Sequence, residues 1–185
     1  MPADLSVRVG RLALRNPVAT GSGCFGYGLE AAEAFDVGRL GALILKTLTP
    51  KPRHGNPPPR IAETPAGMLN AIGLENPGIA AFLSGILPRI RGWACPLVAS
   101  VAGKDLDDYV ALVEALQVPG ISAIELNLSC PNLNSGGMDF GADPAFVKAA
   151  RDLWSDTALE VVRGDFTRLV ANGLGPPAPN LVLAN

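Results

Sequence analysis

The sequence predicts an α/β protein of the (β/α)8 barrel type, the TIM barrel, in which residues 1–150 supply about the first four β/α units. Short apolar runs alternate with helical stretches at the spacing of parallel βαβ units. Polar side chains close four of the predicted strands, where barrel enzymes collect their chemistry: Ser22, Lys46, Ser100 and Asn127. An open doubly wound sheet is the alternative, since it also binds ligands at strand ends. A complete barrel takes roughly 250 residues, so we expect an incomplete barrel.

The N-terminal elements are short. Apolar and polar residues alternate over residues 5–14 around Gly10, which predicts a small hairpin. Residues 17–21 are typical of a buried strand, and residues 29–35, rich in Ala and Glu, predict a short helix. Residues 42–48 predict the second strand of the sheet. A loop rich in Pro and Gly then follows over residues 49–74, and loops of that length are usually functional or disordered.

The residues after this loop again alternate between helix and strand. Residues 77–91 predict a helix with Pro77 in its first turn, and residues 96–101 predict a strand. Residues 105–116 predict a helix that begins with acidic residues. A later helix is expected to begin at Pro144, with Asp143 as its cap.

Residues 121–134 contain the fourth strand, which Pro131 stops. Successive side chains on a strand face opposite sides of the sheet. One face is apolar and suited to packing under helices: Ile124, Leu126 and Leu128. The other carries Ala123, Glu125 and Asn127. Asn127 ends that face and Cys130 follows in the turn, so an amide and a thiol are expected at the mouth of the strand.

Composition excludes several classes of protein. With 48% hydrophobic residues, 17% charged residues and a net charge of -2, the chain is neither disordered nor strongly basic, and we expect no nucleic-acid binding. Its 3 cysteines are widely spaced, which favours a reducing compartment over a disulfide framework. A single histidine and no Cys-x-x-Cys predict no metal site. Without a signal peptide or a span of ~20 apolar residues, we expect a cytoplasmic protein with no membrane segment.

Residues 21–26 fit the spacing Gly-x-Gly-x-x-Gly after a strand. A dinucleotide-binding Rossmann domain would need an acidic residue roughly 20 positions later, where this chain has Lys46 and Thr47. Two other interpretations remain: a loop that only turns tightly, or a backbone that approaches a flat or phosphorylated ligand closely.

Three polar side chains have both an ordinary and a functional interpretation. Lys46 either reaches for solvent or supplies a fixed positive charge for an anionic ligand. Asn70 has no local structural reason to be an amide, and amides are good ligands for cyclic imides and ureas. Cys130 is either a small buried hydrophobe or a reactive thiol. No histidine is near it in the sequence, so a general base is a better prediction than a nucleophile.

Taken together, these segments resemble the class 1 dihydroorotate dehydrogenases, and the Asn-Ala-Ile-Gly-Leu form resembles their B type. The resemblance covers roughly residues 5–150, in order. It rests on these motifs: Ser22-Gly23-Cys24-Phe25-Gly26, Lys46-Thr47, Gly55-Asn56-Pro57-x-Pro59-Arg60, Asn70-Ala71-Ile72-Gly73-Leu74-x-Asn76-Pro77-Gly78 and Asn127-x-Ser129-Cys130-Pro131-Asn132.

The resemblance implies an FMN-binding barrel that oxidises dihydroorotate to orotate in pyrimidine (UMP) biosynthesis. The B type is the catalytic subunit, and it passes electrons to NAD through a partner subunit that carries FAD and a [2Fe–2S] cluster. A homodimer within a heterotetramer is the assembly that the resemblance implies for a complete chain.

The resemblance also implies roles for individual residues. Cys130 would be the catalytic base. The substrate-binding residues would be Lys46, Asn70, Ala71, Ile72, Gly73, Leu74 and Asn127. The FMN-binding residues would be Ser22, Lys46, Thr47, Ser100 and Asn127. Ser100 stands where the family usually has Asn, and a serine keeps a donor and an acceptor with a shorter reach.

Residues 151–185 depart from the family pattern, and we assign them to a divergent tail with no clear family match. The family would continue there into a fifth strand, further substrate ligands and the turns that bind the FMN phosphate. Two alternatives to an active enzyme follow. The chain is a truncated and catalytically incompetent fragment of it, or it is a Rossmann-type nucleotide-binding module.

Overall fold

The computed structural model describes residues 3–128 without interruption, and then residues 144–145, 148–149, 160–163 and 180–184. The described strands are β1 (Val7–Val9), β2 (Leu12–Leu14), β3 (Leu43–Ile44), β4 (Ile61–Thr64), β5 (Gly67–Asn70), β6 (Leu97–Val101), β7 (Ala123–Asn127), β8 (Glu160–Arg163) and β9 (Asn180–Ala184). The described α-helices are α1 (Gly78–Ala81), α2 (Leu87–Ile90) and α3 (Leu106–Ala115).

A parallel sheet of 5 strands, in the order β3-β6-β7-β9-β8, is the centre of the fold. Parallel pairing of β3, β6 and β7 confirms the predicted βαβ arrangement. Strand β3 is shorter than expected, since its regular ladder is confined to Leu43–Ile44 within the predicted residues 42–48. The strands of the described part form an open sheet, so the expected barrel is present as a wall and not as a closed ring.

The first predicted units are also shorter than expected. The hairpin of β1 and β2 is confirmed, and Gly10 at its turn has a φ of 55°, which suits glycine. The predicted strand at residues 17–21 is reduced to one parallel bridge between Ala19 and Ala42. The predicted helix at residues 29–35 is one 3-10 turn, Ala31–Glu33, with no buried residue, so packing does not extend it.

Both longer helices lie where the sequence predicts them. The predicted helix at residues 77–91 consists of α1, a π-helical stretch at Phe82–Ile86, and α2. Helix α3 begins after Asp105, whose side chain accepts a hydrogen bond from the backbone N–H of Asp108 at 2.9 Å. Residues 144–145 and 148–149 are helical, in agreement with the predicted later helix, although its cap, Asp143, lies outside the described residues.

Strands β4 and β5 form an antiparallel hairpin inside the predicted loop of residues 49–74. The prediction of a stretch without secondary structure was wrong there. All residues of both strands are exposed, so neither face is selected to be apolar, and the alternation that reveals a half-buried strand is missing. Three large apolar side chains of this hairpin face solvent: Ile61, Met68 and Leu69.

The two faces of the sheet pack against different partners. The outer face and the helices share the larger core, to which Leu45, Leu97 and Leu126 belong. The opposite face, here called the inner face, packs against the N-terminal hairpin through a smaller cluster: Leu14, Ala42, Ile44, Val98 and Ala123. By alternation, Ser100 continues the inner face of β6, and Glu125 and Asn127 continue that of β7.

An extra residue after β3 changes the direction of the side chains that follow. Ile44 pairs with Val98, and the next bridge joins Leu48 to Val101, so residues 45–47 lie opposite residues 99–100. Such a bulge shifts the alternation of a strand by one position. Leu48 therefore reaches the outer core, and Thr47 reaches the inner face together with Ser100.

The tail contributes two strands to the sheet. Strand β9 pairs in parallel with β7, and β8 pairs in parallel with β9 at the edge. Sequence analysis expected about four units and assigned no strand to residues 151–185, so the sheet extends further than predicted. The later strand lies between the two earlier ones, which a reading of strands in chain order could not have found.

Candidate active site

Polar side chains from four segments meet on the inner face, near the carboxyl ends of the strands. We call this group the strand-end cluster, and its members are Ser22, Thr47, Ser100, Glu125 and Asn127. Ser22 follows the bridge to β3 at Ala19, Thr47 follows β3, Ser100 lies on β6, and Glu125 and Asn127 lie on β7. Strands β3, β6 and β7 are neighbours in one parallel sheet, and their carboxyl ends lie at the same edge. Sequence analysis expected four of these residues at a binding site.

The centre of the cluster is a pair of buried hydroxyls. Thr47 Oγ1 lies 3.0 Å from Ser100 Oγ, and either hydroxyl has the geometry to donate. Thr47 is 3% exposed and Ser100 is 0% exposed, so water is excluded as an alternative partner. A buried hydroxyl without a partner is costly, and this pair satisfies both.

Asn127 is held at its side chain and at its backbone. Its Nδ2 donates a hydrogen bond to Thr47 Oγ1 at 3.5 Å. Its carbonyl oxygen accepts one from the hydroxyl of Tyr109 at 2.6 Å. Tyr109 belongs to α3 and is 1% exposed. The helix after β6 thereby fixes the end of β7, with the Asn127 side chain half-buried at the mouth of the strand.

Glu125 is a carboxyl group inside the sheet, and it is only 4% exposed. Burial raises the pKa of Glu125, while hydrogen bonds from the hydroxyls of Ser100 and Ser22 oppose the rise. Ser100 and Glu125 are direct partners in the pairing of β6 with β7. Oε1 of Glu125 has no hydrogen-bond partner among the described residues.

Lys46 lies next to the cluster in the bulge after β3. Its backbone N–H donates to the carbonyl of Gly26 at 2.9 Å, which brings the predicted glycine loop alongside the strand end. The side chain is half-buried, and its ammonium group has no hydrogen-bond or ion-pair partner in the described part of the chain. A fixed, unpaired cation at a strand end is suited to an anionic ligand.

Residues 70–74 are not brought into the cluster. Asn70 ends β5 and is exposed, and Ala71 is exposed as well. The side chain of Asn56 donates to the carbonyl of Ala71 at 2.8 Å, and its backbone N–H donates to that of Ile72 at 3.0 Å. Gly73 and Leu74 have positive φ values of 76° and 54° and lead the chain back to the buried Asn76. Among the described residues, no hydrogen bond or ion pair joins this segment to the strand-end cluster.

The predicted catalytic thiol cannot be placed. Cys130 and Ser129 lie outside the described residues, which end at Leu128 before resuming at residue 144. Leu128 itself is buried in the outer core. Cys24 is exposed, and Cys95 is buried, where desolvation raises the pKa of its thiol.

Sequence reasoning missed two residues of the site. Glu125 was assigned to the inner face by alternation, yet it was given no role. An acidic residue inside a strand of apolar neighbours was the available signal, because a buried carboxyl needs partners. Tyr109 carried no signal, since its contact with Asn127 depends on how α3 packs against β7.

Among the described residues, no helix is both long and apolar enough to cross a bilayer. In the same part of the chain, no three His, Cys, Asp or Glu side chains are grouped so that they could hold a metal ion. What the cluster offers is a set of hydroxyl, amide and carboxyl groups beside a lysine. Such groups bind a polar heterocycle by its edge.

Comparison with known proteins places this chain in a family. A sequence model of the family described as dihydroorotate dehydrogenase matches residues 4–162. The catalytic subunit of dihydroorotate dehydrogenase B (NAD(+)) from Desulforudis audaxviator is 48% identical over 164 residues, which are 88% of this chain and 53% of that protein. The subunit of the same name from Bacillus pumilus is 47% identical over 156 residues, 82% of this chain and 50% of that protein. The chain therefore spans about half the length of the curated relatives it matches.

A solved structure is similar in fold. The crystal structure of DHODH from Eimeria tenella in complex with ferulenol superposes with a TM-score of 0.65 at 20% sequence identity. The match covers 97% of this chain and 51% of that one. Together with the family match, this likeness supports a TIM-barrel-type fold, of which the described sheet is one wall.

Proposed function

The chain belongs to the dihydroorotate dehydrogenase family, and we propose that it carries the N-terminal part of a site that oxidises dihydroorotate to orotate with FMN as hydride acceptor. In this proposal the reaction serves pyrimidine biosynthesis. The electrons then pass to NAD through a partner subunit that holds FAD and a [2Fe–2S] cluster. The family is one of oxidoreductases, and the relatives named above are NAD(+)-linked catalytic subunits.

One observation carries the proposal. Ser22, Thr47, Ser100 and Asn127, which the family resemblance implies as FMN ligands, are contributed by segments far apart in the sequence and meet on one inner face. In barrel enzymes, active sites form at the carboxyl ends of the strands.

The chemistry of this cluster fits the ring system of FMN. An isoalloxazine edge presents alternating donors and acceptors, and the cluster supplies hydroxyls, an amide and the unpartnered Oε1 of the buried Glu125 to meet them. Ser22, Lys46, Thr47, Ser100 and Asn127 would hold the ring. When bound, FMN supplies the acceptor for the hydride that leaves C6 of dihydroorotate. We propose no phosphate ligands, because those that the resemblance implies lie beyond residue 150.

The protein's own residues would prepare the substrate. The Lys46 ammonium would attract the carboxylate of dihydroorotate and favour negative charge on the ring beside it. Asn127 and residues 70–74 (Asn70, Ala71, Ile72, Gly73 and Leu74) would hold the pyrimidine ring and its carboxylate. Cys130 would act as the base that takes the proton from C5. Asn70 ends the exposed hairpin of β4 and β5, and residues 71–74 follow it, so this segment would have to close over the inner face to do so.

The assembly that we propose is the one that the family resemblance implies. A complete protein would form a homodimer within a heterotetramer with the electron-transfer subunit, in the cytoplasm. Chemistry of this kind needs a route for electrons from the reduced flavin to NAD.

The proposal is tested with the purified 185-residue chain. It is incubated with FMN, freed of excess flavin, and examined for flavin absorbance and for dihydroorotate oxidation with a dye as electron acceptor. We expect bound flavin and turnover that Cys130→Ser abolishes while flavin is retained. Unchanged turnover in Cys130→Ser would exclude this base, and a chain with neither flavin nor turnover would contradict the proposed activity.

A second candidate function is a protein that keeps the family motifs by descent without catalysing the reaction. The chain spans about half the length of its curated relatives. Flavin binding without turnover would support it. The Rossmann-type module has less support, since the glycine loop leads into a 3-10 turn and not into a helix whose N-terminus could bind a pyrophosphate. Binding of nicotinamide nucleotide without flavin would restore it.

A further inference from the structure

We propose that Asn76 is a positioning residue, whose side-chain amide holds the end of the segment at residues 70–74 in a fixed conformation next to the end of β3. The function proposed above assigns this segment to the substrate, so the consequence for the ligand rests on that function. The hydrogen bonds of Asn76 itself do not depend on a ligand.

Asn76 lies at the base of the loop that carries β4 and β5. It is 5% exposed, and Thr49, to which it bonds, is 6% exposed. The backbone N–H and carbonyl of Asn76 both bond to Arg53, at 3.0 and 2.9 Å. Thr49 directly follows Leu48, whose bridge to Val101 ties that position to the sheet. Asn76 therefore lies where the loop leaves the end of β3 and returns to it.

The amide oxygen of Asn76 binds two parts of the chain at once. Its Oδ1 accepts hydrogen bonds from the backbone N–H of Thr49 at 3.1 Å and from that of Gly78 at 2.9 Å. Gly78 is the first residue of α1, where backbone N–H groups have no partner within the helix. The oxygen thereby joins the residue that follows the end of β3 to the start of α1.

The amide nitrogen of Asn76 binds the proposed substrate segment. Its Nδ2 donates to the carbonyl oxygen of Leu74 at 2.8 Å. The orientation of the amide follows from these partners, because a backbone N–H can only donate and a carbonyl can only accept. Leu74 has a φ of 54°, a left-handed conformation that is costly for leucine. Such a conformation persists only where the surrounding structure fixes it, and the bond from Nδ2 contributes to that constraint.

The beginning of the segment is held from the opposite side of the loop. Asn56 donates to the carbonyl of Ala71 through Nδ2 at 2.8 Å, and to that of Ile72 through its backbone N–H at 3.0 Å. A Cβ on Gly55 would overlap the carbonyl oxygen of Ile72, so the two sides of the loop lie backbone against backbone. The segment is thus anchored at both ends, and Asn76 anchors the end nearer to the sheet.

A segment that is already fixed does not have to be ordered when a ligand binds. Ordering a loop costs conformational entropy, and preorganisation reduces that cost. Without the bond from Asn76, Leu74 would be free to leave its left-handed conformation. We therefore expect the bond to increase the affinity for a ligand of this segment.

The test begins without any ligand. In the 185-residue chain labelled with 15N-leucine, the amide signal of Leu74 is assigned by its loss in Leu74→Met. The coupling between the amide proton and the α proton of Leu74 reports its φ. We expect Asn76→Asp to change this coupling, because an ionised aspartate keeps the acceptor for Thr49 and Gly78 but cannot donate to Leu74.

Thr49→Val is the matched control. It removes a buried hydroxyl that lies 2.9 Å from Nδ2 of Asn76 and leaves the bond from Nδ2 to Leu74 in place. Both variants should unfold at lower urea concentrations than wild type, since each loses a buried hydrogen bond. Only Asn76→Asp should change the coupling of Leu74. An unchanged coupling in Asn76→Asp, or an equal change in Thr49→Val, would overturn the proposal.

A second variant serves if Asn76→Asp fails to fold. Asn76→Ser is uncharged, keeps a shorter side chain with an acceptor oxygen, and also lacks the amide nitrogen. It must change the coupling of Leu74 as well, and an unchanged coupling in a folded Asn76→Ser chain would contradict the positioning role.

Binding of orotate then measures the consequence for the ligand. In calorimetry with FMN present, we expect Asn76→Asp to weaken binding about fivefold, the worth of one ordinary hydrogen bond, and Thr49→Val to bind as wild type does. Equal affinities of Asn76→Asp and wild type would contradict this consequence. Absence of orotate binding in the wild type would count against the proposed function, whereas the ligand-free coupling of Leu74 decides the role of Asn76 in either case.

Discussion

Thr47 Oγ1 and Ser100 Oγ lie 3.0 Å apart inside the sheet, although 53 positions separate the two residues in the chain. Their contact depends on the bulge after β3, which turns Thr47 towards the inner face that Ser100 shares. The strand-end cluster surrounds this pair, and its contacts lead to predictions that can be measured.

The buried hydroxyl pair predicts strongly non-additive substitutions. Thr47→Val and Ser100→Ala each leave the other hydroxyl buried without this partner, so each should lower the free energy of unfolding by about 1–3 kcal/mol. The double variant should lose clearly less than the sum, which urea unfolding of the four proteins would show. Additive losses would mean that the hydroxyls contribute independently.

The hydroxyl of Tyr109 ties α3 to the end of β7 by its 2.6 Å bond to the Asn127 carbonyl. Tyr109→Phe keeps the packing and removes this bond, so we expect a loss of about 1 kcal/mol in the free energy of unfolding. Hydrogen exchange at the end of β7 should accelerate in the same variant. A loss of stability without faster exchange at the end of β7 would show that the Tyr109 hydroxyl does not act through its bond to Asn127.

Glu125 predicts a dependence of stability on pH. Burial raises its folded-state pKa above the ordinary value of 4.5, so the folded chain holds this proton more tightly than the unfolded chain. That contribution is complete below pH 4.5 and is lost as the pH rises through the folded-state pKa. Glu125→Gln cannot titrate, so wild type should lose stability relative to it as the pH increases. Urea unfolding between pH 4.5 and 8 measures this difference, and a constant difference would contradict the prediction.

Gly41 lies against the chain that enters the first strand position. A Cβ at Gly41 would overlap the carbonyl oxygen of Asn16 and meet that of Val18 at 3.0 Å. Since backbone must move, Gly41→Ala should cost at least about 2 kcal/mol in the free energy of unfolding. Gly85→Ala is the control, because nothing lies within 4 Å of its Cβ, and it should be neutral or stabilising by up to about 1 kcal/mol. Equal effects of the two substitutions would refute the steric account.

Lys46 gives a prediction for ligand binding. If its unpaired ammonium meets the carboxylate of the substrate, Lys46→Met should weaken orotate binding by about tenfold or more, the range of a hydrogen bond between charged groups. Lys51→Met removes an exposed lysine of the following loop and should have no effect. Calorimetric titration with orotate measures the affinity of both variants. Equal affinities would show that Lys46 does not belong to the site.

Much of the architecture could be predicted from local patterns. The N-terminal hairpin, β6, α3 and β7 appear where alternation, capping and apolar runs place them, because burial selects their residues, and β6 and β7 are buried on both faces. The hairpin of β4 and β5 was missed for the opposite reason, since both of its faces are exposed. The roles of Cys130 and residues 70–74 stay predictions, with the first outside the described residues and the second apart from the cluster.

The sequence by itself determined the family, the parallel βαβ order and the four strand ends at which polar groups appear, because those features depend on residue types and their spacing. Only the tertiary structure decided which of these groups meet. The bulge that turns Thr47 inward, the pairing of Ser100 with Glu125, and the insertion of β9 between β7 and β8 all arise from register. Register is set by how whole strands fit together, and a single segment does not encode it.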